Sequence, residues 1–292
     1  MKNVVKFTLY WASLLSASMV SASGPSYYAD LQRSEWEVTG SIFECRLSQE
    51  IPLYGEAVFY RQAGMPVLFT LTTSESEMAA GKALLTSAAP QWKQGVLDKD
   101  IAYIDVAEGE RPVNLDSKHT RLVLAELVSG MMPTVVRHAW YNEDAAITVA
   151  VSPAKFTAAY EQYQDCVADL LPVNFSQVER NTIPWRSGQE ELDQDTKRLL
   201  DNIVAYAKGD LSVNSIQING FTDTVGTAAQ NLELSRERAF MVHSYLVSKG
   251  IDEAMIETRY FGETEEYLLV PNERTAADRN RNRRVTVLLR RD

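Results

Sequence analysis

Histidine is scarce. Three residues in 292 (His119, His138 and His243), beside only two cysteines set far apart, give poor support to a zinc centre. Positive charge is also in deficit. Lys and Arg number 29 against 39 Asp and Glu, a formal net charge of −10, which argues against nucleic acid or an anionic membrane surface as a partner. The chain lacks G-x-S-x-G, H-E-x-x-H and any Cys–His pairing with a family signature, so the hydrolase classes those motifs serve lose support. Carboxylates are plentiful, but a sequence cannot pair them in space as a glycosidase would need. No enzyme activity and no cofactor are expected. There is no internal repeat and no low-complexity tract. Beyond residue 22 no apolar run is long enough to span a bilayer.

What is present begins with an export signal. Lys2 and Lys6 precede a short apolar stretch, Phe7 to Val20, and Val20-Ser21-Ala22 ends it with small residues. This predicts a secretory signal peptide over 1–22. The other reading, a membrane anchor, suits the stretch badly because it is short and rich in Ser. No Cys stands at the cleavage point, which argues against a lipoprotein. The mature chain is expected to be soluble and outside the cytoplasm. There, an even cysteine count favours a disulfide between Cys45 and Cys166 over two buried thiols. Such a bridge would close a loop of about 120 residues and contribute roughly 5 kcal/mol in the chain-entropy model.

The length suits two domains. We place them at 23–172 and 173–292, with the boundary near Pro172. The first is β-rich. Strand patterns occur at 36–38, 57–60, 66–72, 101–106 and 145–151. A helix is expected over 117–129, with Val123, Leu124, Leu127 and Val128 on one side and Glu126 pointing away. A second over 154–170 carries Phe156, Tyr160 and Tyr163, which read as a core face rather than a ligand surface. The second domain alternates element types: a strand at 175–183, a helix at 189–207, a strand at 213–221, a helix at 230–248, and strands near 255–261 and 284–290. The fold class is α+β, a β-α-β-α-β-β sandwich following the β-rich domain.

One segment carries chemistry. It reads Gly220-Phe221-Thr222-Asp223-Thr224-Val225-Gly226, and continues through Asn231, Leu234-Ser235 and Arg238-Ala239 to Val242. Asp223 stands where a strand gives way to a loop, and Arg238 follows 15 residues later in the first half of a helix. Strand and helix pack together, so one pocket can hold both. A carboxylate and a guanidinium suit a zwitterion, the first taking an ammonium and the second forking a carboxylate. Thr222 and Asn231 add neutral hydrogen bonds, and Arg279, Asn282 and Arg283 lie downstream. The competing explanation is an internal Asp–Arg salt bridge, with Arg283 and Arg284 as an ordinary solvated edge.

The order G-x-T-D-x-x-G, then N, L-S-x-x-R-A-x-x-V and N-R-R-V resembles the OmpA-like peptidoglycan-binding family. The resemblance implies non-covalent binding of the stem peptide, with Asp223 and Arg238 gripping diaminopimelate. The stretch 263–278, longer and more apolar than the family pattern, leaves its role open. Upstream, Glu44-Cys45-Arg46-Leu47 and Ile51-Pro52-Leu53-Tyr54-Gly55-Glu56-Ala57-Val58-Phe59, with Cys166 near the domain end, resemble the MotY family of polar, notably sodium-driven, flagellar motors. That resemblance implies a periplasmic structural protein beside the basal-body rings. Its partners would be a MotX-like protein and a stator of the PomA/PomB type. The alternative is a general OmpA-family envelope protein tethering an unrelated partner to the wall. On this reading Asp223→Ala and Arg238→Ala should each abolish wall binding and leave the fold intact.

Overall fold

The structure is a computed structural model that describes residues 24–292; the expected signal peptide at 1–22 lies outside the described residues. None of the described helices is long and apolar enough to cross a membrane.

The first half of the chain builds one ten-stranded sheet. After β1 (Ser26–Tyr27) and β2 (Trp36–Gly40) come β3 (Glu44–Ile51), β4 (Gly55–Gln62), β5 (Leu68–Thr73) and β6 (Gly81–Ala88). Then follow β7 (Lys99–Val106), β8 (Val113–Leu115), helix α1 (Ser117–Val128), β9 (Met132–Ala139), β10 (Asn142–Ala150) and helix α2 (Phe156–Ala168). The spatial order is β1-β10-β9-β6-β7-β8-β5-β4-β3-β2. Every ladder is antiparallel except that of β1 with β10. Alternation along the strands explains the core: Ala57 and Phe59 of β4, Phe69 and Leu71 of β5, and Ala83 and Leu85 of β6 all turn inward. The stripe on α2 belongs to that core. Phe156 is fully buried, its ring 4.9 Å from Trp36 and 5.2 Å from Tyr160.

On α1, Val123, Leu124 and Leu127 are buried as read, but Val128 is 58% exposed. Glu126 points away from that apolar side, accepting from Ser87 Oγ (2.5 Å) and pairing with Lys99 (2.7 Å). Cys45 at the start of β3 and Cys166 in the last turns of α2 form a disulfide, with Cα atoms 6.1 Å apart. It fastens the helix to the strand it covers.

The second half begins with a short helix, α3 (Phe175–Val178), then β11 (Arg180–Pro184), α4 (Gln194–Gly209), β12 (Val213–Phe221) and α5 (Ala228–Ser248). β13 (Ile256–Tyr260), α6 (Ala276–Asn282) and β14 (Arg284–Arg291) complete it. The four strands order as β11-β14-β12-β13, with β12 and β13 parallel and β14 antiparallel to both its neighbours. Two boundaries differ from expectation. The continuous strand read over 175–183 is α3 followed by β11, because the Gln177 side chain accepts from the Asn174 backbone N–H (3.0 Å) and caps a helical turn. The helix expected from 189 starts at 194, where Asp193 accepts from the Thr196 N–H (2.8 Å).

The core of this half runs from Val173 to Leu289, and Phe43 and Leu171 pack against it from the other side. The two halves meet along a seam. The Asn174 side-chain amide donates to the Ala63 carbonyl (3.2 Å), Leu171 N–H donates to the Ile42 carbonyl (2.9 Å), and the Phe43 and Tyr206 rings lie 6.0 Å apart. The Arg291 guanidinium lies 4.0 Å over the Phe175 ring.

Candidate functional site

The site forms where β12 ends against α5. Gly220 makes that contact possible: a Cβ there would lie 2.2 Å from the Ser235 carbonyl oxygen, so only glycine lets the helix lie this close. Ala239, fully buried, keeps the next turn equally near. Arg238, on that face of α5, is thereby carried to the strand end. The other wall comes from β14. Its register sets Phe221 opposite Arg284, so the residues just beyond the pair, Asp223 and Arg283, face each other across the sheet end.

Asp223 pairs with Arg283, and both side chains are almost wholly buried. Arg283 also donates from Nε to the Trp185 carbonyl (3.2 Å) and from its terminal nitrogen to Asn280. The second Asp223 oxygen accepts from the Val225 N–H (3.3 Å). The aspartate's ion-pair partner is therefore Arg283, and the internal Asp223–Arg238 bridge considered from sequence is not formed.

Arg238 is left without an acceptor. It is 4% exposed, its guanidinium stands 5.7 Å over the Trp185 ring, and Nε and Nη1 make no hydrogen bond. Burial pulls its pKa down to about 10, with Asp223 opposing that shift and Arg283 adding to it. It stays charged at neutral pH. Thr222 Oγ1, at 1% exposure, is likewise buried without a partner, while its N–H donates to the Gly262 carbonyl (2.8 Å). Orphaned donors of this kind are rare in folded proteins, and a cationic one can accept an anion as its partner. A cavity of about 310 Å³ lies on the other elements around Trp185, between residues 183–186 and the start of α4, and none of Asp223, Arg238 and Thr222 lines it.

The remaining expected residues have other duties. Asn231, buried, donates to Glu263. Asn282, fully buried, accepts from the Val270 N–H (3.0 Å) and donates to the Val270 carbonyl (2.9 Å) and to Glu273 (2.5 Å). It clamps the 263–278 stretch. Glu273 completes the clamp by accepting from the Thr224 N–H (3.1 Å) and hydroxyl (2.8 Å). Arg279 is half-buried on α6 and joins none of these contacts. Trp185, Glu263 and Glu273 escaped the sequence reading. Trp185 stood in a segment legible only as a turn, and the two glutamates lay in a loop without periodicity.

The Asp223–Arg283 pair reverses one expectation, that Asp223→Ala is harmless to the fold. Asp223→Ala leaves a buried guanidinium without its carboxylate, which costs about 3–5 kcal/mol. The variant should melt well below the parent in a thermal scan, and Asp223→Asn, which keeps an acceptor, much less so. Equal melting of parent and Asp223→Ala would mean that Arg283 has found another acceptor.

Residues 27–172 match the family model of the MotY N-terminal domain, and residues 185–283 that of the OmpA family. The sodium-type flagellar protein MotY of Vibrio parahaemolyticus is 27% identical over 280 residues, 95% of this chain and 94% of that one. Outer membrane protein A of Bordetella avium is 38% identical over 96 residues, 33% of this chain and 47% of that protein, so the match spans under half of the relative. Among solved structures, the peptidoglycan-associated lipoprotein from Burkholderia pseudomallei is 25% identical at a TM-score of 0.34, covering 37% of this chain and 89% of that one. The C-terminal domain of Helicobacter pylori MotB is 22% identical at a TM-score of 0.34, covering 38% and 85%.

Proposed function

The chain belongs to the family of the MotY N-terminal domain and carries an OmpA-family domain behind it, and from that premise we propose that it is a structural component of a flagellar motor that grips the cell wall. The grip is the pocket at the end of β12. Its ligand is the diaminopimelate of the peptidoglycan stem peptide, whose free stereocentre presents a carboxylate and an ammonium. The observation that carries this reading is the buried, unpartnered guanidinium of Arg238, two of whose donors are ready for a carboxylate fork. Arg283 lends further positive charge, and Thr222 Oγ1 offers an orphaned hydroxyl.

The division of labour follows the two halves of the chain, which we divide at 172. Residues 173–292 hold the wall. Residues 23–172 face the motor in the periplasm, beside the basal-body rings, where they meet a MotX-like protein and help to assemble and hold stator units of the PomA/PomB type. The likeness to a sodium-type flagellar protein along 95% of the chain supports this assignment over that of a wall tether with an unrelated cargo.

Two measurements test it. Purified protein should sediment with isolated sacculi and be released by free meso-diaminopimelate. A fluorescent fusion should gather in a polar focus that disappears with the flagellum. A signal spread evenly along the envelope would discard the motor assignment and leave the wall grip standing.

A further inference from the structure

Three connections of the ten-stranded sheet come together at one end of it. β5 leads into β6, β7 into β8 and β9 into β10, and these six strands lie side by side and antiparallel. Backbone hydrogen bonds tie the connections to one another. Thr73 N–H donates to the Glu110 carbonyl (2.9 Å), and Trp140 N–H donates to the Glu77 carbonyl (3.0 Å). Gly109, at a left-handed φ of +97°, lets the middle turn reverse between Glu108 and Glu110. Glu75, Glu108, Glu110 and Trp140 line one cavity of about 420 Å³, with Ser76 and Met78 also in its wall. Trp140 is 64% exposed and meets the Tyr141 ring edge-on at 5.4 Å.

The charge at this end is unbalanced. Among the described residues none of Glu75, Glu77, Glu108 and Glu110 joins an ion pair. The Arg137 guanidinium is near but is taken by the Ala79, Lys82 and Ala80 carbonyls, and Lys82 itself pairs with Asp105 (2.7 Å). Two hydroxyls are also unmet: that of Ser76 in the cavity wall, and that of Tyr54, a side chain 7% exposed. Tyr54 belongs to the same end, since Gly55 pairs with Thr73. Its ring lies 5.5 Å from that of Tyr27, whose hydroxyl donates to Glu77 (2.9 Å). Among the described residues no such side chains are grouped to hold a metal ion. Carboxylates set round an exposed indole suit an organic cation instead. A guanidinium fits best, because its N–H fork meets carboxylates while its flat face stacks on an aromatic ring.

We propose that this end of the sheet is a docking site for an arginine-bearing segment of a protein partner. It deepens the reading that residues 23–172 face the motor, and it rests on that reading for where the partner belongs. The surplus of carboxylates is the complement of such a segment and steers it in.

The test is calorimetric titration of the full chain with the peptide Ac-Arg-Gly-Arg-Gly-Arg-amide, and with the same peptide carrying citrulline, which keeps the shape and loses the charge. The arginine peptide should bind, more weakly as salt is raised, and the citrulline peptide should not. The triple variant Glu75→Gln, Glu108→Gln, Glu110→Gln should weaken binding about tenfold or more, and Trp140→Ala should weaken it as well. All four side chains are exposed, so the fold is not at stake. The triple variant Glu35→Gln, Glu37→Gln, Glu50→Gln removes the same charge from another exposed face and should leave binding unchanged. Equal weakening by the two triple variants would reduce the effect to the overall negative charge of the chain. That result, no binding of the arginine peptide, or equal binding of the citrulline peptide would each overturn the proposal. A fluorescent fusion separates the two levels: the first triple variant should lose the polar focus yet still sediment with sacculi. If the parent forms no focus, the motor reading falls and the titration alone decides this surface; if the parent forms one and the variant keeps it, the surface falls and the motor reading stands.

Discussion

Arg238→Met should abolish sedimentation with sacculi while leaving the melting temperature of the protein unchanged or higher. These two effects are rarely joined in a buried residue, and their conjunction is what identifies the site. The guanidinium is buried with two donors unsatisfied. In the free protein its desolvation is offset only by the nearby Asp223 charge and the Trp185 ring, so an apolar side chain of similar volume should be neutral there or stabilising. In the complex the same donors fork a carboxylate, and removing them costs about 2–5 kcal/mol of binding, a loss of thirtyfold or more in affinity. An arginine kept for architecture would behave in the opposite way, lowering the melting temperature and leaving wall binding alone. Retained sedimentation in this variant would sink the assignment.

Cys45→Ser should lower the stability of the first half of the chain by about 5 kcal/mol, the loop-closure value for the 121 residues that separate the two cysteines. For a unit of this size that is a fall of about 10–20 °C in melting temperature. Cys166→Ser should match it, and reduction of the parent with dithiothreitol should bring it to the same value. In the cell the variant should accumulate poorly and be cut by proteases within residues 23–172. Normal yield and parental melting would show that the packing of α2 on β2 and β3 holds that half without the bridge.

Much of this was legible in the sequence. The strand 213–221 and the helix after it announced themselves through Ile216 and Ile218 at period two and through the Gly220–Arg238 spacing, and both stand where they were read. The boundaries that moved were those set by single caps. Asn174 with Gln177, and Asp193 with Thr196, each override the apolar pattern of a few residues on either side. The partner of Asp223 was beyond reach for a different reason. Arg283 lies 60 positions away and meets Asp223 only through the register of β12 on β14, which is set by the whole sheet. The sequence offers only the nearer arginine as a partner for the aspartate, and that as the competing explanation to a shared ligand. The counter-ion of Glu126 was out of reach for the same reason, since Lys99 arrives on another strand.

The seam between the two halves bears on how the molecule carries load. Only residues 169–174 separate α2 from α3, and that stretch is itself hydrogen-bonded to β-rich neighbours through Leu171 and Asn174. There is no slack tether between the site at the end of β12 and the ten-stranded sheet. A displacement imposed at one end passes to the other across the Phe43–Tyr206 contact and the Leu171–Ile42 and Asn174–Ala63 hydrogen bonds instead of being absorbed by a coil of chain. The molecule is in this sense a bracket rather than a leash: its compliance is set by packed side chains, and lengthening those six residues with a flexible insert would convert a stiff mount into a spring.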